Sequence, residues 1–132
     1  MRYAAAVSLL LCVAAAAGCG GGETADVDAV VGRFQSALVA KDGGVACAEL
    51  SPATRDAVAT EEKKPCDEAI LGAGLSGGGR AAGTRVYMTS AMTHVSGRDY
   101  LFLDQTSGGW RISAAGCKPT AGDDPYDCEV ED

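Results

Sequence analysis

TRVYMTSAMTHVSGRDYLFLDQ, residues 84–105, is the stretch on which the fold turns. Its apolar period is two: Val86, Met88, Ser90, Met92 and His94 alternate with Tyr87, Thr89, Ala91, Thr93 and Val95, the signature of two strands or of one strand bent near Ser90. Met88 and Met92 are therefore expected on the face that carries His94, as an adaptable pocket wall or as core. Ser96-Gly97-Arg98 reads as a turn into residues 99–105, whose Tyr100-Leu101-Phe102-Leu103 run is apolar on both faces, as in a strand buried centrally or covered by helices. Thr106-Ser107-Gly108-Gly109 is a hairpin loop, and residues 110–115 return as a strand in which Trp110 and Ile112 alternate with Arg111 and Ser113. The second half of the chain is thus an antiparallel sheet.

Upstream, six glycines between Gly72 and Gly83 exclude a regular element and read as a flexible linker. No Gly-Lys-Ser/Thr follows them, so they do not form a phosphate cradle. The first half is helical. In residues 26–41, Val27, Val30, Val31, Phe34, Leu38 and Val39 recur at three- and four-residue spacing, with Thr24 as a cap and Asp42-Gly43-Gly44 as the stop. A short helix over residues 45–50 carries Cys47, Ser51-Pro52 opens a third helix through about Thr60, and Pro65 starts a fourth piece with Cys66, Ile70 and Leu71.

The N-terminus has its own pattern: a positive charge at Arg2, an apolar run over residues 4–17, then Gly18 and Cys19. Residues 1–18 read as a secretory leader, because an apolar run of this length falls short of the ~20 residues a spanning helix needs. Ala16-Ala17-Gly18-Cys19 reads as a lipobox, so that cleavage leaves Cys19 at the N-terminus with a diacylglyceryl thioether. An ordinary cut at Ala14-Ala15-Ala16 is the alternative. Two acyl chains anchor a protein stably without further contacts. Residues 19–25, with Gly20-Gly21-Gly22, are then the lipidated cysteine and a flexible tether, and residues 26–132 are one α+β domain with an acidic C-terminal tail. The expected address is extracytoplasmic, on the outer face of the cell membrane.

Loss of Arg2 with the leader reduces 11 basic residues to 10 against 18 acidic ones, a net charge of −8 that repels phosphates and disfavours nucleic acid as a partner. Seven aromatic residues in the whole chain leave the core to aliphatic side chains and cross-links. With Cys12 in the leader and Cys19 lipidated, Cys47, Cys66, Cys117 and Cys128 remain, an even number that in an exported protein implies two disulfides among three connectivities. Cys47–Cys66 and Cys117–Cys128 are preferred, since each closes a short loop within one structural region. A metal site is disfavoured by the absence of a Cys-x-x-Cys pair and by a single histidine, His94. The six acids after Lys118 match no EF-hand spacing and read as a solvated tail, and no cofactor motif is present.

Helices followed by a meandering antiparallel sheet make an α+β layout, with helices packed on one face of a curved sheet. The helix of residues 26–41, Cys47 and Cys66, Gly109-Trp110-Arg111-Ile112 leading to Ala114-Ala115-Gly116-Cys117-Lys118-Pro119, and Tyr126-Asp127-Cys128 resemble the nuclear-transport-factor-2-like (cystatin-like) cones carried by small exported actinobacterial lipoproteins. That resemblance implies either a pocket between sheet and helices or a docking face on the sheet, and hence a non-catalytic domain that binds a small apolar ligand or an envelope protein. Two alternatives accompany it: an isomerase-, cyclase- or dehydratase-like enzyme using His94, with Tyr87, Tyr100, Asp99 and Asp104 as partners, and an accessory subunit of an envelope assembly. Met88, Met92, His94, Tyr100 and Trp110 are the expected pocket residues, with core packing the alternative for the methionines and for Trp110, read as a core anchor.

Overall fold

The computed structural model describes residues 21–95 and 99–132; the leader, Cys19 and the Ser96-Gly97-Arg98 turn lie outside them. Four helices come first: α1 (Gly21–Ala40), α2 (Gly43–Ala48), α3 (Pro52–Glu62) and α4 (Cys66–Gly72). Six strands follow: β1 (Ala81–Tyr87), β2 (Ser90–Val95), β3 (Asp99–Thr106), β4 (Gly109–Pro119), β5 (Tyr126–Asp127) and β6 (Val130–Glu131). The sheet runs β1-β2-β3-β4 with every pairing antiparallel, and β5 and β6 both add to the far edge of β4. The expected α+β order, helices then antiparallel sheet, is the order found.

Among the described residues α1 is helical from Gly21 onward, so the expected tether is helical from that residue and Thr24 lies inside the helix instead of capping it. Once the turns around buried Val27 and Val30 are fixed, each further residue adds a hydrogen bond at low entropic cost, and the helix propagates backward through Glu23 in its first turn. Its end also differs from expectation. Lys41, at a left-handed φ of 55°, closes it: the Lys41 and Asp42 N–H groups donate to the Leu38 and Ala37 carbonyls at 3.2 and 2.9 Å. Asp42 then caps α2, its carboxylate accepting from the Val45 N–H at 3.0 Å, and Gly43 is the first residue of α2. Ser51 and Pro52 open α3 as expected, with Ser51 Oγ accepting from the Thr54 N–H at 3.1 Å.

Val27, Val31 and Phe34 of α1 meet Leu50, Ile70, Leu101, Leu103 and Ile112 in the core. Each is essentially fully buried, and burial of such a side chain contributes roughly 1.5–3 kcal/mol. Strand β4 carries two register shifts against β3, from Tyr100↔Cys117 to Phe102↔Ala114 to Leu103↔Ile112. Shifts of this kind bend a strand. Ser113, left without an opposite residue, has its carbonyl taken by the Thr54 hydroxyl of α3 at 3.0 Å. Just beside it the segment between α2 and α3 docks on β4: Leu50 bridges Ile112, whose N–H donates to the Glu49 carbonyl at 2.9 Å. The Glu49 carboxylate also accepts two hydrogen bonds from Arg33 of α1, at 2.7 and 3.0 Å. That bond, more than the charge attraction, holds the guanidinium above its ordinary pKa against the opposing effect of its partial burial.

The glycine-rich stretch is not a free linker. The Gly78 and Gly79 N–H groups donate to the carbonyl and side-chain oxygens of Gln35, and Gly77 lies so close to α1 that a β-carbon there would stand 2.8 Å from Leu38 Cβ and 2.9 Å from Val39 N. Glycine is required here for close approach of two backbones. Strand β1 starts at Ala81, three residues before the period-two pattern announces it, because a bulge between Ala82 and Arg85 breaks the alternation. The C-terminal tail is likewise less loose than expected: β5 and β6 are short strands, and Val130 is buried in the core while the acids around it stay exposed.

Candidate functional face

Residues paired across a sheet project to the same side, so the register sorts the expected pocket residues without ambiguity. Val86↔Ala91, Ala91↔Leu103, Thr93↔Leu101 and Leu103↔Ile112 line the inner face under the helices. Arg85↔Met92, Met92↔Phe102, Phe102↔Ala114 and Ala114↔Glu131 make one row on the outer face, and His94↔Tyr100 belongs to the next. Met92, His94 and Tyr100 are therefore neighbours, as expected.

Two expected pocket residues are elsewhere. Met88 sits in the two-residue β1–β2 turn with φ 54° and is 91% exposed, so it lines nothing beside His94. A hairpin whose turn places Tyr87 opposite Ser90 pairs odd with even numbers, which puts Val86 inside and Met92 outside and ends the single alternation read through residues 84–95. Trp110 is buried in the helix-facing core, on the opposite side of the sheet from Met92 and His94.

Phe102 and Tyr126 complete the outer face. Tyr126 packs edge-on against Tyr100 (centroids 5.4 Å apart, planes at 60°) and against Phe102 (4.9 Å, 71°), while Tyr100 meets His94 in the same manner (5.6 Å, 63°). The Tyr126 hydroxyl points at Met92 Sδ, 3.8 Å away. All five side chains are half-buried. Edge-to-face pairs add roughly 0.5–1.5 kcal/mol each beyond simple burial, so the cluster also holds the C-terminal segment on the sheet. The Cys117–Cys128 disulfide fastens the same segment to β4. A signal for Phe102 was present in the two-faced apolar run of β3, which demanded cover on the outer side; that the cover would be Tyr126 depended on the disulfide and on the β4–β5 pairing.

His94 lies over the β1 bulge, with its Cε1 and Nε2 3.8 Å from the position a Gly83 β-carbon would take. Of its expected partners, Tyr100 stacks on it and Asp99 is in register with the adjacent Val95, whereas Asp104 accepts a 2.7 Å hydrogen bond from Ser90 and Tyr87 lies at the hairpin end, 55% exposed. Among the described residues no group of three or more His, Cys, Asp or Glu side chains is placed to hold a metal ion.

Beside the cluster is a surface cavity of about 370 Å³, lined by Phe102, Ala114, Asp124, Pro125, Tyr126, Cys128 and Glu131. Its floor is Ala114, the small residue between Phe102 and Glu131 in their row. A more open groove of about 540 Å³ runs along α1, lined by Ala29, Gly32, Ser36, Ala40 and Val45 among others. No known protein family, curated protein or solved structure matches the chain.

Proposed function

We propose that this is a lipid-anchored extracytoplasmic protein whose single α+β domain, of the nuclear-transport-factor-2-like cone type, acts by binding a small ligand or an envelope protein and not by catalysis. One observation carries the reading. The space between α1 and the inner face of the sheet is filled by Val27, Val31, Phe34, Leu101, Leu103 and Ile112, while the outer face presents five half-buried aromatic and sulfur-bearing side chains next to a cavity. A contiguous, accessible patch of that kind is what a binding surface looks like, and His94 belongs to it instead of to a water-poor interior suited to general acid or base work.

The anchor rests on Ala16-Ala17-Gly18-Cys19 and the apolar leader before it. Among the described residues no helix is long and apolar enough to cross a membrane. Intact mass of the protein from a membrane fraction is expected to show residues 1–18 removed and a diacylglyceryl adduct on Cys19; a retained leader or an unmodified Cys19 would refute the anchor.

The binding face is tested with methionine-methyl-labelled protein, since mature protein has two reporters, Met92 on the face and Met88 off it. Titration with phenol and with cyclohexanol is expected to move the Met92 methyl saturably and leave Met88 unmoved. With alanine and valine methyls labelled as well, shifts confined to Val45 and Ala40 in the α1 groove would transfer the site there, and no saturable shift would end the reading.

A further inference from the structure

The cavity beside Tyr126 has a chemical character that the rest of the face lacks. Phe102, Ala114 and Glu131 stand in register on β3, β4 and β6, with strands about 4.8 Å apart, so the lone methyl of Ala114 leaves a gap between an aromatic ring and a carboxylate. Tyr126 and Pro125 close that gap from the side, and Asp124 brings a second carboxylate to it. Among the described residues that line the cavity none is basic, and the nearest lysine in sequence, Lys118, is engaged with Glu129 at 3.7 Å. Two π-systems and two carboxylates around one gap make a region of negative potential with apolar walls. An alkylated ammonium group satisfies both features at once, because its charge is spread over methyl groups that shed water readily and the ring quadrupoles attract it. Anions are repelled by the same groups and by the overall charge. The volume, about 370 Å³, is that of a small-molecule site; a protein partner would need a contact of roughly 800 Å² on each side.

Resting on the outer face being the binding surface, we propose that this cavity is a site for a small organic cation, a quaternary or N-alkylated ammonium on a short stem, free in solution. Phe102 and Tyr126 receive the charged head, Asp124 and Glu131 set its charge preference, and Met92 and Tyr100, packed behind those two rings, report their displacement.

The test compares choline with its uncharged isostere 3,3-dimethylbutan-1-ol on the methyl- and ring-labelled protein. Choline is expected to shift Met92, Phe102 and Tyr126 saturably and to bind about tenfold more tightly than the isostere, the difference narrowing in high salt. Glu131→Gln, at an exposed position where folding is not at stake, is expected to weaken choline severalfold and leave the isostere unchanged. Ala114→Leu, which fills the floor, is expected to abolish choline binding while phenol still shifts Met92. Equal affinity for choline and the isostere, or an unaltered Glu131→Gln, would overturn the cation site and leave the binding face standing. Silence toward choline, the isostere, phenol and cyclohexanol together would overturn both. Tighter binding of a blocked Gly-Lys-Gly peptide than of choline would overturn the small-molecule site in favour of a protein's lysine.

Discussion

Gly43→Ala is expected to cost about 3 kcal/mol or more, the upper end of what overpacking does, and so to remove much of the stability of a domain this small. A β-carbon on Gly43 would stand 1.8 Å from the carbonyl oxygen of Asp67 and 2.6 Å from its carbonyl carbon. Those are backbone atoms at the start of α4, which cannot swing aside as a side chain would. The Cys47–Cys66 disulfide holds α2 and α4 together in the same place and prevents the two helices from separating to relieve the clash. Gly44→Ala is the control: its nearest neighbour is Asp42 Oδ1 at 3.6 Å, an ordinary contact, and alanine favours a helix over glycine by up to about 1 kcal/mol. Urea unfolding of the two variants measures the contrast. Equal midpoints for both would show that α2 and α4 are not packed this closely.

The two disulfides are expected to separate stability from the binding face. Replacing Cys47 and Cys66 together by serine releases a loop of sequence separation 19 and should cost about 3 kcal/mol, yet leave the rings of Tyr100, Phe102 and Tyr126 in contact, because that bridge lies wholly in the helical half. Replacing Cys117 and Cys128 releases a separation of 11, at a similar but slightly smaller cost of nearly 3 kcal/mol. This second pair is expected to loosen Tyr126 from Phe102 and Met92, read as collapse of the ring-current shifts at the Met92 methyl. Retention of those shifts without Cys117–Cys128 would mean that β5 and the ring stacking suffice. Gly43→Ala should also cost less in the Cys47/Cys66 double-serine background, since α2 can then shift away from Asp67; full additivity would argue against a shared constraint.

Much of the architecture was readable before any coordinates. The three- and four-residue spacing of Val27, Val30, Val31 and Phe34 identified the buried face of α1, whereas Val39, placed on the same face by its spacing, is 65% exposed because Gln35 and Ala37 continue the buried side, and Ser51-Pro52 identified the start of α3. Loop length and regional grouping selected the two disulfides that are present. Two of the misplacements originate in contacts distant along the chain, and a third in a local turn. Gly43 looked like part of a helix stop, while its role is to let α2 lie against Asp67; the Gly77–Gly79 run looked like a linker, while Gln35 binds it. Met88 looked like a wall residue because alternation cannot reveal a two-residue turn whose central positions carry no glycine.

By itself, then, the amino-acid sequence determined the order helices-then-sheet and the buried side of the first helix as far as Phe34, and it favoured one pairing of the four cysteines among three, since periodicity and spacing are local properties that a helix or strand must respect wherever it packs. Only the tertiary structure decided which of the expected pocket residues share a face. Strand register after a turn, the bulges of β4 and the return of Tyr126 over Phe102 depend on hydrogen bonds and packing between separate strands and segments, and one residue of register transfers a side chain to the opposite side of the sheet. That is why Trp110 went to the core and Met92, His94 and Tyr100 went to the outer face.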